Sequence, residues 1–415
     1  MSTVTPARRA AFAVVRRVFE QGAYADRALH GEAEGLDPRE RALAMRLAFG
    51  TVQRRGSLDW IIAQLARPPG ELDPSVVAAL RLGLYQLLFM DGIADHAAVD
   101  TSVELAKQAG GGGGFKLVNA VLRRAQRETP ELPSDATAAG AAVRHSYPRW
   151  LAERWFEELG PERARGLMAA GNKPAELAVR VNTLVGDRAT IAAKLGVPWH
   201  EATDLPEGVI VEQGFDAHGH PLWAEGAFMP QSRAAMHVAH AVDPQPGEQI
   251  LDLCAAPGGK TTHLAALMGD EGRVVAVERH AGRARALAQT AQRMRAGIVR
   301  VEVGEAETRP RTERFDRVLL DPPCSGLGTV QGHPDIRWRA SPERTARMAE
   351  HQRALLRAAE ALVKPGGRIV YSTCTLLRTE NEDVVASSPL PLVAARTFAP
   401  DTDATDGFHV ATLGA

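Results

Sequence analysis

Cysteine is scarce in this sequence: 415 residues hold three, at positions 254, 324 and 374. That number and that wide spacing exclude a disulfide framework and a paired-cysteine zinc site. No metal is expected, and the reducing cytoplasm is the natural compartment, where a free cysteine can serve as a nucleophile. Net charge is nearly absent too, since 49 Lys+Arg offset 50 Asp+Glu to leave −1. No global basic character announces nucleic acid, so a polyanionic partner would need a local basic face. No segment reaches the roughly 18–20 apolar residues that span a bilayer. The nearest, LRLGLYQLLFM, is short and interrupted by Arg81, so no membrane association is expected. The first 19 residues lack acids and carry four arginines, as a targeting peptide can. The bland reading is preferred: a first amphipathic helix with Ala11, Val14, Val15 and Val18 on one side.

What is present divides by rhythm. The length exceeds one ordinary core, so two or three domains are expected. From residue 5 to about 129 apolar positions recur at three and four, as in RALAMRLAFGTVQRR and SVVAALRLGLYQLLFM, and predict nearly continuous helix. The glycine run 110–114 lies between two helical patterns and lacks the preceding strand of a phosphate loop, so it reads as a flexible connection. ETPELPSDATA, at 128–138, reads as a linker. Two helices and strands such as LAVRVNTL and GVIVEQG then suggest a small α+β domain over 139–230. From 231 to 415 strands and helices alternate: QILDLC, VVAVE, IVRVEVG, DRVLLD and RIVYSTC are split by helical stretches. Such alternation implies an α/β domain with a parallel, doubly wound sheet, whose ligand site lies at the strand C-terminal ends.

Six polar or reactive residues fall at that edge: Cys254, Glu278, Glu305, Asp321, Cys324 and Cys374. LDLCAAPGGKT places Cys254, Ala255, Ala256, Pro257, Gly258, Gly259 and Lys260 between a strand and a helix start. Small residues there let a ligand approach the backbone. A P-loop would need glycine where Cys254 stands, and Pro257 removes one amide of a phosphate cradle. The alternative is a nucleoside cofactor, with Glu278 about 20 residues on from the glycines to accept from a ribose diol. The bland reading of Glu278 is that it merely opens the next helix.

Asp321-Pro322-Pro323-Cys324 follows the strand DRVLL. Amino-group methyltransferases carry an aromatic residue at the fourth position of such a turn, to stack on a base; cysteine cannot stack. A lone cysteine is most often a small buried hydrophobe, but Cys374, after RIVYST, is a second one outside the regular elements. A thiolate beside a nucleoside cofactor suits one reaction well. C5 of cytosine is a poor nucleophile until sulfur adds at C6 and converts the ring to an enamine. An acid near N3 would stabilise the developing charge, and Asp321 is the candidate.

LDLCAAPGGKT, DPPCSGLGTVQGHPDIRW and YSTCTLLRTENEDVV together resemble the motifs of the Nop/Sun RNA cytosine-C5 methyltransferases. RALAMRLAFGTVQRR, LRLGLYQLLFMDGIADHAAVD and FKLVNAVLRR resemble the NusB-like RNA-binding domain attached to one member, and HSYPRWLAERW with AVRVNTL resembles its middle domain. The resemblance implies a Rossmann-like class I methyltransferase domain over 231–415, an all-helical NusB-like domain over 1–130 and a small α+β domain over 139–230. It further implies S-adenosyl-L-methionine as cofactor, held by residues 254–260, Glu278, Glu305 and Asp321. Small-subunit ribosomal RNA is the implied substrate, and no obligate protein partner is evident. Cys374 resembles the nucleophile that attacks C6, and Cys324 the cysteine that assists elimination. Three departures stand out: Glu305 where the family has Asp, Gln231-Ser232 where it often reads Gln-Asp, and QGHPDIRW where basic residues commonly precede HPDI. Fewer charges in QGHPDIRW predict a weaker salt dependence of RNA binding. Arg54, Arg55, Arg123 and Arg124 are candidate RNA contacts, with an ordinary solvated face as the alternative. Two rival classes are a P-loop nucleotide hydrolase and a non-catalytic RNA-binding factor.

Overall fold

A computed structural model of the chain describes residues 4–66, 72–110 and 112–414. The chain forms two compact units. One comprises the residues up to Lys173 together with Val330–Arg339; the other comprises Pro174–Thr329 and Ala340 onward.

The first unit is helical. Its N-terminal helices begin where a capping side chain precedes proline. Thr5 caps Pro6–Glu20, Asp37 caps Pro38–Gln53 and Asp73 caps Pro74–Phe89, each side chain accepting from a first-turn N–H. Proline tolerates the first turn because its missing N–H has no partner there anyway. In Pro6–Glu20 the expected face Ala11, Val14, Val15 and Val18 is buried, so the arginine-rich start is an amphipathic helix. Within the glycine run, Gly111 lies outside the described residues, and Gly114 already opens the helix Gly114–Arg127. The reading of the whole run as a loop therefore ends one residue early. A helix not foreseen, Ala138–His145, follows the linker under the cap of Thr137.

Compactness draws its boundary at Lys173, inside the stretch 139–230 read above as one domain. The helices of that stretch join the first unit through hydrogen bonds. Ser57 Oγ donates to the Val143 carbonyl at 2.7 Å, and Ser146 Oγ accepts the Gly56 N–H at 2.8 Å.

The second unit carries two sheets. The smaller is antiparallel, with strands β1 (Ala178–Val181), β2 (Trp199–Glu201), β3 (Gly208–Val211) and β4 (Phe228–Pro230) in the order β2-β3-β1-β4. The larger contains β5 (Gln249–Leu253), β6 (Arg273–Glu278), β7 (Val299–Val303), β8 (Phe315–Leu320), β9 (Val363–Thr373), β10 (Leu392–Phe398) and β11 (Phe408–Gly414). Its order is β10-β11-β9-β8-β5-β6-β7. The five strands β5 to β9 are parallel, as the alternation predicts, while β11 runs antiparallel to β9 and to β10. The sheet is therefore mixed rather than wholly parallel. Strand order reverses between β5 and β8, which places a switch point at the C-terminal ends of those two strands. Buried Val, Leu and Ile of β5, β6 and β8 fill both faces, which explains the continuous apolar runs of these strands.

Side chains join the two sheets. The buried Arg180 of β1 donates to Gln231 Oε1 at 2.8 Å, to Thr262 Oγ1 at 2.9 Å and to the Gly259 carbonyl at 3.3 Å. Asn182 Nδ2 donates to the Gly226 and Met294 carbonyls. Gln231-Ser232 is thus accounted for structurally: Gln231 receives Arg180, and Ser232 caps the helix Arg233–Val242. Among the described residues no helix is long and apolar enough to cross a membrane.

Candidate active site

All six residues expected at the strand ends line one cavity of about 240 Å³: Cys254 after β5, Glu278 ending β6, Glu305 after β7, Asp321 and Cys324 after β8, and Cys374 after β9. Of the 254–260 loop, Cys254 and Ala256 reach the cavity wall. Gly258 supplies the turn into the helix Gly259–Leu267, with φ +103°, and a Cβ there would stand 2.6 Å from Leu287 Cδ1. Both the backbone angle and the close approach require glycine.

Glu278 stands where both readings need it, just ahead of the next helix and on the cavity wall. Its Oε1 accepts the His280 N–H at 2.9 Å, just ahead of the helix Ala281–Arg293, and Arg283 lies 3.5 Å from Oε2. The carboxylate nevertheless faces the cavity, although the residue is only 3% exposed. Glu305 is exposed at the rim.

Asp321 is held from two sides. Lys260 Nζ lies 2.6 Å from Oδ2, and Ser372 Oγ donates to Oδ1 at 3.1 Å. Burial works against the Lys260 charge, yet Asp321 and then Cys374 outweigh it and hold the ammonium above its ordinary value. Lys260 entered the sequence reading as a loop residue; its pairing with Asp321, 61 positions away, was not foreseen.

The two later cysteines touch: Cys324 Sγ lies 3.3 Å from Cys374 Sγ. Their loops are tied together. Ser325 Oγ donates to Thr375 Oγ1 at 2.8 Å, and the Gly328 N–H donates to the Cys374 carbonyl at 2.9 Å. Glu380 Oε1 accepts the Ser325 N–H at 2.9 Å and Gln352 Nε2 at 3.0 Å, and the same Gln352 nitrogen reaches the Pro323 carbonyl at 2.9 Å. Asn381 Nδ2 donates to the Thr375 carbonyl at 3.0 Å. Glu380 and Asn381, from RTENE, therefore brace the cysteine loops, a role that sequence reading missed. The contact with Cys374 and burial push the Cys324 thiol well above its ordinary value. Burial, reinforced by Asp321, pushes Cys254 up to about 12, so Cys254 stays a thiol.

Away from the cavity, His240 and His263 each bring Nε2 to 2.8 Å from Glu207 Oε1. Burial and then the Arg180 charge press His263 down to about 3. His240 is hydrogen-bonded to this carboxylate, and the neighbouring guanidinium disfavours a cation there.

The arginines proposed for RNA are engaged within the first unit. Arg54 stacks on Phe89, Arg55 on Phe19 and Trp338, Arg123 pairs with Asp100, and Arg124 pairs with Glu128. Arg337 of QGHPDIRW is fully buried and donates to the Ser146 and Gly171 carbonyls and to Asn172 Oδ1. That stretch belongs to the first unit, with Pro334, Asp335 and Arg337 buried in it.

Comparison with known proteins agrees with this architecture. The family model for 16S rRNA methyltransferase RsmB/F matches residues 239–390, the NusB family matches 5–127, and the RsmF/B-like ferredoxin-like domain matches 147–218. The chain is 39% identical to "Probable ribosomal RNA small subunit methyltransferase B" of Synechocystis sp., over 91% of this chain and 87% of that protein. It is 34% identical to ribosomal RNA small subunit methyltransferase B of Vibrio cholerae, over 98% of this chain and 96% of that one. The crystal structure of PH0851 superposes with a TM-score of 0.84 at 26% identity, covering all of both chains. A cavity at the switch point of a Rossmann-like sheet and these matches along nearly the whole sequence lead to one statement: the chain belongs to the RsmB/F family of 16S rRNA methyltransferases.

Proposed function

We propose that the protein methylates C5 of a cytosine in small-subunit ribosomal RNA, in the cytoplasm, through a covalent bond between Cys374 and C6 of the base. The contact of the two thiols beside the Lys260–Asp321 pair is the observation that carries this reading. The donor would be S-adenosyl-L-methionine, which supplies an electrophilic methyl group when bound. The cavity suits a nucleoside donor: Cys254 and Ala256 present small side chains to it, Glu278 offers carboxylate oxygens to a ribose diol, and Glu305 stands at the rim.

Cys374 acts as the thiolate. Adding its sulfur to C6 shifts electrons into the ring, so C5 becomes the nucleophilic carbon of an enamine. Asp321, fixed by Lys260 and Ser372, would accept hydrogen bonds from the 4-amino group and from N3–H of the adduct, favouring the protonated ring. In the elimination a water in the cavity takes the C5 proton, the electrons of that C–H bond form the C5–C6 double bond, and Cys374 departs as the thiolate, with the Cys324 thiol donating to the leaving sulfur. The helical segment 1–130 and the segment 139–230 would present the RNA, with 231–415 as the methyltransferase part.

The test is transfer of labelled methyl groups to unmodified 16S ribosomal RNA, followed by nucleoside digestion. Label should appear in 5-methylcytidine, and Cys374→Ala should lower turnover by about three orders of magnitude or more. Full activity in that variant, or label in another nucleoside, would contradict the reading.

A further inference from the structure

The geometry points to Cys324 and Cys374 as a site of reversible oxidative modification, an intramolecular disulfide that shuts the reactive pair. Their sulfurs are 3.3 Å apart and need approach by only about 1.2 Å to reach bonding distance. Both are partly exposed and both line the cavity, so a small oxidant can reach them. The hydrogen bonds from Gly328 and Ser325 across to Cys374 and Thr375 hold the two loops together. The thiols therefore meet without a search.

Hydrogen peroxide is the oxidant that this chemistry requires. The Cys374 thiolate attacks one peroxide oxygen and the O–O bond breaks. Sulfur becomes a sulfenic acid, and the departing hydroxide takes a proton from solvent to leave as water. The Lys260 charge lies within electrostatic reach of Cys374 and favours this anionic step. Cys324 sulfur then displaces the sulfenic hydroxyl, which departs as a second water carrying the Cys324 proton. Two thiols lose two electrons, and one peroxide becomes two waters. Cys324, held as the thiol by its neighbour and by burial, is the resolving partner rather than the first target. Cys254 is not the sulfur that touches Cys374, and burial and Asp321 hold it as the thiol, so it takes no part. The disulfide keeps Cys374 from the irreversible sulfinic state. That turnover stops with it rests on the proposed role of Cys374.

The test is oxidation of the reduced full-length protein with hydrogen peroxide, then non-reducing tryptic mass spectrometry. The expected product joins the peptides 318–337 and 369–378, with a loss of about 2 Da that dithiothreitol reverses. Methyl transfer should fall by about tenfold or more in step with the cross-link and return on reduction. In Cys324→Ser, read by mass and not by turnover, Cys374 should instead gain about 32 Da as the sulfinic acid. Should that variant fail to fold, Cys254→Ser serves: its cross-link should persist. The inference is overturned if wild-type Cys374 gains sulfinic acid as fast as in Cys324→Ser with no cross-linked peptide, or if the cross-link disappears in Cys254→Ser. A cross-link that leaves turnover untouched would support the modification and overturn the role of Cys374 instead.

Discussion

Asp252, on β5, is fully buried and its carboxyl is pushed up to about 7, by burial first and with Asp321 adding to the rise, while a 2.6 Å hydrogen bond from Thr261 works the other way. The sign of its effect on stability follows. The folded protein holds a proton here that the unfolded chain releases near its ordinary value, so the contribution is complete below about 4. It is lost as pH rises through about 7. Asp252→Asn keeps a neutral side chain of the same shape, and its melting temperature should fall less than the wild type's between those two limits. Identical profiles for the two proteins would contradict this. That the cysteines and Asp321 meet at one cavity was legible in the sequence because each follows a strand of the same parallel sheet. The Lys260–Asp321 pair and the Glu380 brace were not, since each depends on partners 61 and 55 positions away. Spacing along a chain carries no trace of such pairings.

The elements that frame the site matter through their loops. Gly328, in the loop after β8, receives no penalty from its own backbone angle; its constraint is the chain opposite. A Cβ there would lie 2.0 Å from the Gly407 carbonyl oxygen. The same residue donates to the Cys374 carbonyl, so the two loops cannot part without losing that bond. Gly328→Ala should therefore destabilise by about 1–3 kcal/mol and reduce kcat by about 10²-fold, because a shift near 1 Å spoils alignment. Urea unfolding and single-turnover methyl transfer check the two effects; wild-type kcat in a folded Gly328→Ala protein would contradict them. The parallel strands β5, β6 and β8 were legible as apolar runs because both faces are covered. The edge strand β10 was not: six of its seven residues are exposed, so nothing in LVAARTF marks a buried face. Its partner β11 is almost wholly buried, but it follows the last helix–strand alternation and breaks the parallel pattern.

At the scale of the molecule, the chain leaves the second unit after Thr329, only five residues beyond Cys324, and returns at Ala340. The ten residues between are built into the helical unit. Arg337 binds two carbonyls and Asn172 there and stacks on Tyr147, 4.0 Å from its ring centre. Trp338 Nε1 donates to the Val52 carbonyl at 2.7 Å. Arg337→Ala would strand these buried acceptors and should cost about 3 kcal/mol or more. Hydrogen exchange would report it as lost amide protection across 138–173, and unchanged protection would contradict the account. The sequence displays HPDIRW as a motif beside Cys324, but not that its arginine is buried among carbonyls. For the same reason a net charge of −1 and arginines already engaged within the helical unit predict a shallow salt dependence of RNA binding.

The central claim is a transient sulfur–carbon bond to the substrate base. It is tested most directly by mixing Cys324→Ala, S-adenosyl-L-methionine and end-labelled 16S ribosomal RNA, then running the mixture on a denaturing gel. The account predicts RNA retained on the protein, with the attachment mapped to the Cys374 peptide, because elimination has lost its helper. A Cys324→Ala protein that turns over like the wild type, with no RNA bound after denaturation, would contradict it.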